Sequence, residues 1–171
     1  MGERKYLEEG SWAGHHVRYL MASGFVQPGD TVLDAACGIG YGSEMFRNRD
    51  VNYFGVDYSY STLEFKDESW RTFIEADLTE WVPDFEFDVF VSFETIEHLP
   101  DYQNLLDIAR MAKRWILMSV PIVPTKHMNP WHLHDFAQGE LPTYVEDGNW
   151  KLFDAFQQPS EFSEIYVFSN S

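Results

Sequence analysis

The feature that most constrains this chain is a glycine-rich stretch that directly follows a short apolar run. Residues 32–43 read Val-Leu-Asp-Ala-Ala-Cys-Gly-Ile-Gly-Tyr-Gly-Ser. The apolar residues predict a buried strand that ends near Asp34, and the alternating glycines predict a tight turn into a helix. Because glycine has no Cβ, a ligand can lie against the main chain of such a turn. We therefore predict a ligand-binding edge formed by a strand, a glycine loop and a helix.

The spacing of these glycines separates two classes of ligand. Dinucleotide sites use Gly-x-Gly-x-x-Gly, whose pyrophosphate needs the N–H groups at a helix N-terminus. Here the spacing is Gly-x-Gly-x-Gly, with an acid four residues before the first glycine, and an acid suits a cationic ligand better than a pyrophosphate. The stretch resembles the first motif of the class I S-adenosylmethionine-dependent methyltransferases. That resemblance implies donor-binding positions at Asp34, Ala36, Gly38 and Gly40; a plain structural turn is the alternative.

A second acid follows at the distance that a nucleoside site requires. Residues 53–57 predict a second strand that ends in Asp57, about 20 residues beyond the glycine loop. A carboxylate at that strand end can accept hydrogen bonds from both ribose hydroxyls. Alone, Asp57 is equally consistent with a turn residue. After this glycine loop, Asp57 and Tyr58 resemble the second motif of the family.

Two further motifs follow the third and fourth predicted strands. Residues 72–76 predict the third strand, and Asp77 and Leu78 follow it. The resemblance implies that Asp77 accepts from the adenine amino group while the Leu78 N–H faces the ring; the alternative is that Asp77 caps a turn. Residues 87–93 predict the fourth strand, and Glu-Thr-Ile-Glu-His-Leu follows at 94–99. This resembles the Glu-x-Ile-Glu-His-Leu signature of small-molecule O- and N-methyltransferases, including the ubiquinone-pathway type.

The resemblance also implies a chemistry, namely direct in-line transfer of a methyl group to a nucleophile. The carbonyl of Phe93 or Glu94 is then expected to face the methionine amino group of the donor. His98 is the candidate general base, because an imidazole whose ordinary pKa is about 6.5 can accept a hydroxyl proton near neutral pH. Glu94 and Glu97 are candidates to orient His98 or the substrate. The alternative for His98 is a helix-entry histidine bonded to the backbone.

The order of the predicted elements indicates the fold class. Strands and helices alternate through the fourth strand, a fifth strand covers 115–120, and residues 150–156 and 164–168 predict a closing antiparallel pair. In a parallel sheet the carboxyl ends of the strands share one edge, which brings the four motifs together. The resemblance, over roughly residues 28–170, implies an α/β fold with a Rossmann-like, mostly parallel seven-stranded sheet. Its expected order is 3-2-1-4-5-7-6, with the last strand antiparallel and helices on both faces.

We expect a single domain over 1–171, with an N-terminal helical segment (1–26) and an irregular acceptor-side segment (122–148). The first helix is predicted over 11–23, between an N-cap at Ser11 and a stop at Gly24. The residues that recur at helical spacing are Trp12, His16, Val17, Leu20 and Met21. Further helices are predicted from the glycine loop to about Arg49, within 61–70, and from Pro100 onward. Trp12, Tyr19 and Tyr41 either cover the bound donor or belong to the hydrophobic core.

A histidine-rich stretch follows the fifth strand. His127, His132 and His134 lie close to Asp135, and imidazole and carboxylate groups are ligands for divalent metals. Their spacing matches no rigid metal motif, so we predict no metal site and favour acceptor-pocket or packing roles. Residues 129–136 match the Asn-Pro-x-His-x-x-x-Phe stretch that members of the family often carry here.

Charge and composition restrict the partners. With 12 Lys plus Arg against 28 Asp plus Glu, the formal net charge is -16, which disfavours nucleic acid because cation–phosphate contacts dominate its binding. No apolar run is long enough to cross a bilayer and no secretory signal opens the chain, so we predict a cytoplasmic protein without a membrane partner. Cys37, the only cysteine, is expected to be a packed side chain. We expect a monomer or a homodimer.

These observations give one leading function and one rival. The leading function is methyl transfer from S-adenosylmethionine, with S-adenosylhomocysteine as product, to a small-molecule acceptor. Transfer to the oxygen of a sugar, phenol or isoprenoid precursor is favoured over transfer to nitrogen. The rival is a non-catalytic S-adenosylmethionine-binding module or partner subunit. A nicotinamide dehydrogenase is disfavoured by the glycine spacing.

Overall fold

The central sheet has the predicted strand order. The structure, a computed structural model, describes residues 12–59 and 65–171. Among these residues the strands are β1 (Thr31–Ala35), β2 (Asn52–Asp57), β3 (Arg71–Glu75), β4 (Val89–Phe93), β5 (Trp115–Pro121), β6 (Trp150–Gln158) and β7 (Ser163–Asn170). They form one sheet in the order β3-β2-β1-β4-β5-β7-β6. β7 is antiparallel to both of its neighbours and the other pairs are parallel.

The central strands form where the sequence is apolar enough to be buried on both faces. β4 is buried along its whole length, and β5 is buried from Ile116 to Pro121, as expected of parallel strands covered on both sides. The register places Asp34 beside Gly55 on one side and Val91 on the other. As a result, the carboxyl ends of β1 to β4 lie at one edge of the sheet, where the motifs of the sequence follow them.

Helices cover both faces of the sheet, as predicted. They are α1 (Trp12–Ala22), α2 (Gln103–Arg110) and α3 (Pro142–Val145), with 3-10 turns at Tyr41–Met45, Ile96–His98 and Pro159–Glu161. Alternate residues of β1 separate into two hydrophobic clusters: Leu33 packs with α2 and α3, and Val32 packs with α1. None of the described helices has the length and apolar character that crossing a bilayer would require.

The apolar residues at helical spacing do not all lie on the buried face of α1. Val17 and Leu20 are 52% and 58% exposed, whereas Arg18 and Tyr19 are buried. Arg18 is buried because its guanidinium has polar partners on other elements: Nε donates to Gln158 Oε1 at 2.5 Å, and Nη2 lies 3.5 Å from a carboxylate oxygen of Glu94. The predicted N-cap, Ser11, lies outside the described residues.

The other predicted helices are shorter than expected. The glycine loop leads into the single 3-10 turn Tyr41–Met45 rather than a helix that reaches Arg49. α2 begins at Gln103 rather than Pro100. Asp101 Oδ1 accepts a hydrogen bond from the Gln103 N–H at 2.9 Å, just before the first turn of the helix. Within the predicted helix over 61–70, the described residues 65–70 are not helical.

Candidate active site

A cavity of about 640 Å³ opens where the carboxyl ends of β1 to β4 meet. Its lining includes all of the predicted site residues except Asp34 and Gly40, namely Ala36, Gly38, Asp57, Tyr58, Asp77, Leu78, Phe93, Glu94, Glu97 and His98. Tyr19 and Tyr41 also line it; the side chain of Trp12 lies outside the described part of the chain. The residues that the sequence predicts as a site are therefore brought together by the fold.

The glycine loop borders this cavity through Ala36, Cys37 and Gly38. Ala36 and Gly38 have φ values of 65° and 60°, and a Cβ added to Gly38 would meet no atom within 4 Å. Gly40 and Gly42 instead border aromatic side chains, the rings of Phe73 and Tyr19. Only the first of the three glycines, Gly38, therefore lines the cavity; the other two allow close packing behind the loop.

Backbone hydrogen bonds hold the loop against β2. The N–H groups of Ala36 and Cys37 both donate to the Val56 carbonyl, at 2.8 and 3.0 Å. The Gly38 N–H donates to Asp57 Oδ2 at 2.9 Å. The carboxylate at the end of β2 thus fixes the loop at the end of β1 and borders the cavity at the same time.

Asp77 caps a turn and also lines the cavity. Its Oδ1 accepts hydrogen bonds from the Thr79 N–H at 2.9 Å and the Thr79 hydroxyl at 2.6 Å, which is how an aspartate caps a turn. These two bonds stabilise the ionised form and lower the pKa of Asp77. The residue is also exposed at the cavity, beside the buried side chain of Leu78.

Asp34 lies inside the core rather than at the cavity. It is fully buried, and its two carboxylate oxygens accept hydrogen bonds from the hydroxyls of Tyr19 and Tyr53. Burial raises the pKa of Asp34 to about 7, against the opposing effect of the two hydroxyl donors. Tyr19 itself lines the cavity, so Asp34 positions the wall of the cavity without facing it.

Glu94 is held in an unusual conformation by residues that the sequence analysis missed. Its φ is 52°, a conformation that side-chain-bearing residues rarely adopt and that clusters at functional sites. Its oxygens accept hydrogen bonds from Ser119 Oγ at 2.8 Å and Ser163 Oγ at 3.0 Å, and Arg18 lies 3.5 Å away. The two serines belong to β5 and β7, far from the motif in sequence. In the sequence, the signal that could have pointed to this arrangement is Arg18, a single arginine in a largely apolar helix.

The far end of the cavity brings together Glu97, His98 and His132. Glu97 is 1% exposed, and its Oε1 lies 3.9 Å from His98 Nε2. The rings of His98 and His132 meet edge to face with centroids 4.5 Å apart. His98 Nδ1 lies 3.0 Å from the Trp131 carbonyl oxygen, a contact that requires a proton on Nδ1. In the neutral ring, Nε2 then carries the lone pair.

The remaining members of the histidine-rich stretch are held by other groups. His134 Nε2 lies 2.8 Å from the Leu99 carbonyl oxygen. Asp135 Oδ1 accepts from the N–H groups of Thr125 and Lys126, which lowers the pKa of Asp135. His127 is exposed. Of this stretch, His132 is therefore the residue that joins the Glu97–His98 pair.

Comparison with known proteins agrees with this arrangement. Residues 33–115 match the family model described as a methyltransferase domain. The match covers a little under half of the chain and indicates a methyltransferase domain over those residues. The match runs from β1 to the start of β5, so it includes the glycine loop and the Glu97–His98 turn.

The curated relatives of this chain are longer than the chain itself. A probable S-adenosylmethionine-dependent methyltransferase of Mycolicibacterium smegmatis is 28% identical over 159 residues, which cover 86% of this chain and 62% of the relative. Phosphoethanolamine N-methyltransferase of Triticum aestivum is 37% identical over 84 residues, which cover 44% of this chain and 17% of the relative. The chain therefore spans less than two thirds of either protein.

A solved structure shows the same fold as this chain. Magnesium protoporphyrin IX methyltransferase of Synechocystis PCC 6803, crystallised with S-adenosylhomocysteine, superposes with a TM-score of 0.74 at 17% sequence identity. The alignment covers 100% of this chain and 90% of that one. At that level of identity the likeness establishes the fold.

Proposed function

We propose that this protein transfers a methyl group from S-adenosylmethionine to a small-molecule acceptor. The observation that carries the proposal is the cavity at the edge of the sheet. It places the Gly38 turn, two strand-end aspartates and the Glu97–His98 turn around one space, in a chain that matches a methyltransferase-domain model over residues 33–115. A volume of about 640 Å³ lies in the usual range for ligand pockets.

The donor occupies the end of the cavity that the strand termini form. In the proposed arrangement Asp57 accepts from the ribose hydroxyls beside Tyr58, and Asp77 and Leu78 bind the adenine. The methionine amino group faces the carbonyl of Phe93 or Glu94. The sulfonium is a cation, so an edge that carries several carboxylates favours its binding.

Two of the predicted donor residues act from behind the site. Asp34 orients Tyr19 and Tyr53 through its carboxylate, and Gly40 lets the loop pass the Phe73 ring. We therefore assign Asp34 and Gly40 to positioning the loop, and Ala36 and Gly38 to main-chain contact with the donor.

The reaction is a direct displacement at the methyl carbon. A lone pair of the acceptor forms the new bond to carbon while the carbon–sulfur bond breaks and its electron pair goes to sulfur. Because no protein group needs to bond covalently, most of the acceleration comes from holding donor and acceptor in line, for which effective molarities reach about 10⁵–10⁸ M.

His98 acts on the proton of the acceptor. Its Nε2 carries a lone pair at the cavity, Glu97 lies 3.9 Å away, and the Trp131 carbonyl fixes the ring. Loss of the acceptor proton matters most for a hydroxyl, which supports transfer to the oxygen of a sugar, phenol or isoprenoid precursor. Transfer to an amine is the alternative, since the wheat relative is named as an N-methyltransferase.

Calorimetry and a transfer assay test the proposal in two stages. We expect the protein to bind S-adenosylmethionine and S-adenosylhomocysteine and not NAD; preference for NAD would refute the donor assignment. Acceptor pools are then screened for uptake of a labelled methyl group. Donor binding without transfer to any pool would identify a binding module instead of an enzyme.

A further inference from the structure

The geometry points to a divalent metal site formed by Glu97, His98 and His132 at the acceptor end of the cavity. One carboxylate oxygen of Glu97 and one ring nitrogen of each histidine lie within 4.8 Å of one another. All three residues line the cavity. The residues come from two separate segments, the turn after β4 and the stretch between β5 and α3.

The ligand set identifies the class of ion. Two imidazoles and one carboxylate form the protein part of catalytic zinc sites, which keep a further position open for water or substrate. Mg²⁺ and Ca²⁺ prefer oxygen ligands, so a set with two nitrogens favours Zn²⁺. Bonds of about 2.0–2.1 Å in a tetrahedral site place ligand atoms about 3.3 Å apart. Glu97 Oε1 and His98 Nε2 lie 3.9 Å apart and all three ligand atoms lie within 4.8 Å of one another, so side-chain rotation must bring them closer by up to about 1.5 Å.

Both histidines have an outer partner that orients them for this role. His98 Nδ1 donates to the Trp131 carbonyl, and His132 Nδ1 lies 2.5 Å from Thr125 Oγ1. The Trp131 carbonyl can only accept, so the neutral His98 ring carries its proton on Nδ1 and its lone pair on Nε2. His132 has the same tautomer when Thr125 Oγ1 accepts its hydrogen bond, and its Nε2 then carries the lone pair that a metal ion needs. Ligating histidines almost always make such a hydrogen bond through their other nitrogen.

The backbone braces the two segments at the same place. The N–H groups of Leu133 and His134 donate to the Glu97 carbonyl at 2.7 and 3.2 Å. His134 Nε2 in turn meets the Leu99 carbonyl oxygen. These bonds fix the stretch that carries His132 against the turn that carries Glu97 and His98, so the three ligands keep their mutual positions.

Burial of the carboxylate favours a cation at this point. Glu97 is 1% exposed, and an ionised carboxylate at that depth is costly unless it is neutralised by a nearby cation or by hydrogen bonds. A bound ion would lie against the Glu97 carboxylate and bind both rings. A protonated His98 paired with Glu97 is the competing arrangement, and metal titration separates the two.

A metal ion at this position would favour a hydroxyl acceptor over an amine. This part of the inference rests on the proposed function. A hydroxyl bound to the ion loses its proton to water more easily, and the resulting oxygen keeps lone pairs that can attack the methyl carbon. A coordinated amine has used its lone pair on the metal. The oxygen–carbon bond then forms, the carbon–sulfur bond breaks, and S-adenosylhomocysteine leaves as the neutral product. His98 in this case acts through the ion rather than as the base.

Titration of the whole chain with Zn²⁺, in competition with a chromogenic chelator, tests the site. We expect wild-type protein, first stripped of metal, to bind one equivalent. His132→Ala should weaken binding at least about 10-fold, and Glu97→Gln should weaken it as well. His127→Ala is the matched control, because His127 is an exposed histidine of the same stretch. Equal binding by wild type and His132→Ala, an equal loss in His127→Ala, or binding of Mg²⁺ without Zn²⁺ would overturn the inference.

Calorimetry with S-adenosylmethionine keeps this test separate from the proposed function. His132→Ala should bind the donor as the wild type does, which shows that the fold is intact. If it does not, His132→Gln takes its place, since glutamine preserves more of the volume. Donor binding by a protein that takes up no Zn²⁺ overturns the metal site alone. Zn²⁺ binding by a wild type that does not bind the donor overturns the proposed function and leaves the site.

Discussion

Single side chains around the cavity divide into those that border it and those that hold it in shape. Asp57 does both, since it accepts from the Gly38 N–H and lines the space. Asp34 holds the cavity in shape without bordering it, because its carboxylate oxygens accept hydrogen bonds from two tyrosine hydroxyls inside the core. Glu94 lines the cavity while Ser119 and Ser163 fix its carboxylate. Substitutions in the two groups should therefore have different effects.

Asp34 gives a prediction for stability against pH. Burial raises the pKa of the folded carboxyl from 3.8 to about 7. Between about pH 4 and 7 the folded state keeps a proton on Asp34 that the unfolded state releases. The contribution of this proton to the free energy of unfolding is therefore complete below about pH 4 and is lost as the pH rises through about 7. The slope from one such proton approaches about 1.4 kcal/mol per pH unit. Urea unfolding of wild type and Asp34→Asn at pH 5, 6, 7 and 8 measures it.

The variant isolates this one group from every other titrating residue. The free energy of unfolding of wild type relative to Asp34→Asn should fall from pH 5 to pH 7 and level off above it. A difference that stays constant over this range would show that Asp34 keeps an ordinary pKa in the folded protein.

His98 gives a prediction for turnover. His98→Ala removes the nitrogen that acts on the acceptor proton, whether directly or through a bound ion, and should lower kcat by about 10²–10⁴ with the acceptor found by screening. The dissociation constant of S-adenosylmethionine should change by less than about two-fold, because His98 lies at the acceptor end. His127→Ala serves as the control. An unchanged kcat would remove His98 from the mechanism.

Among the elements, the strands could be predicted from sequence and the helices only in part. Continuous apolar runs such as 87–93 and 115–120 specify buried strands, and each strand-end motif marks the edge at which the cavity forms. The buried face of α1 could not be predicted, because Arg18 is buried through partners that are remote in sequence. His132 could be proposed only as one of several histidines, since its approach to His98 depends on backbone bonds between separate segments.

The packing of α1 against the glycine loop gives a prediction at this scale. A Cβ on Gly42 would lie 2.3 Å from a ring carbon of Tyr19, so Gly42→Ala must displace the ring or the loop. We expect a loss of about 1–3 kcal/mol in the free energy of unfolding. Gly148→Ala is the control, because a Cβ there meets no atom within 4 Å. Similar unfolding midpoints for the two variants would contradict the packing described for Tyr19.

For the whole molecule, the dominant property is its charge. A formal net charge of -16 creates a negative potential that attracts cations and repels nucleic acid. Several carboxylates lie at the sheet edge that we assign to the donor. The chain is thus suited to distinguish a positively charged sulfonium from its neutral thioether product.

Ionic strength should therefore affect the two nucleosides differently. S-adenosylmethionine carries one more positive charge than S-adenosylhomocysteine, so salt should weaken binding of the first and spare the second. We expect roughly a three-fold loss in affinity for S-adenosylmethionine between about 0.05 and 0.5 M salt. Calorimetry at matched salt concentrations measures both. Parallel salt dependences would show that the acidic edge does not contribute to donor binding.

Between β5 and α3 the chain contributes one wall of the cavity, through Thr125, Met128, Asn129 and His132. This wall is tied to the rest at the Glu97 and Leu99 carbonyls. The strand ends assigned to the donor all precede it in sequence, so it can be exchanged as one segment opposite the Glu97–His98 turn. Grafting that wall between relatives offers a way to exchange the molecule that is methylated while the source of the methyl group stays the same.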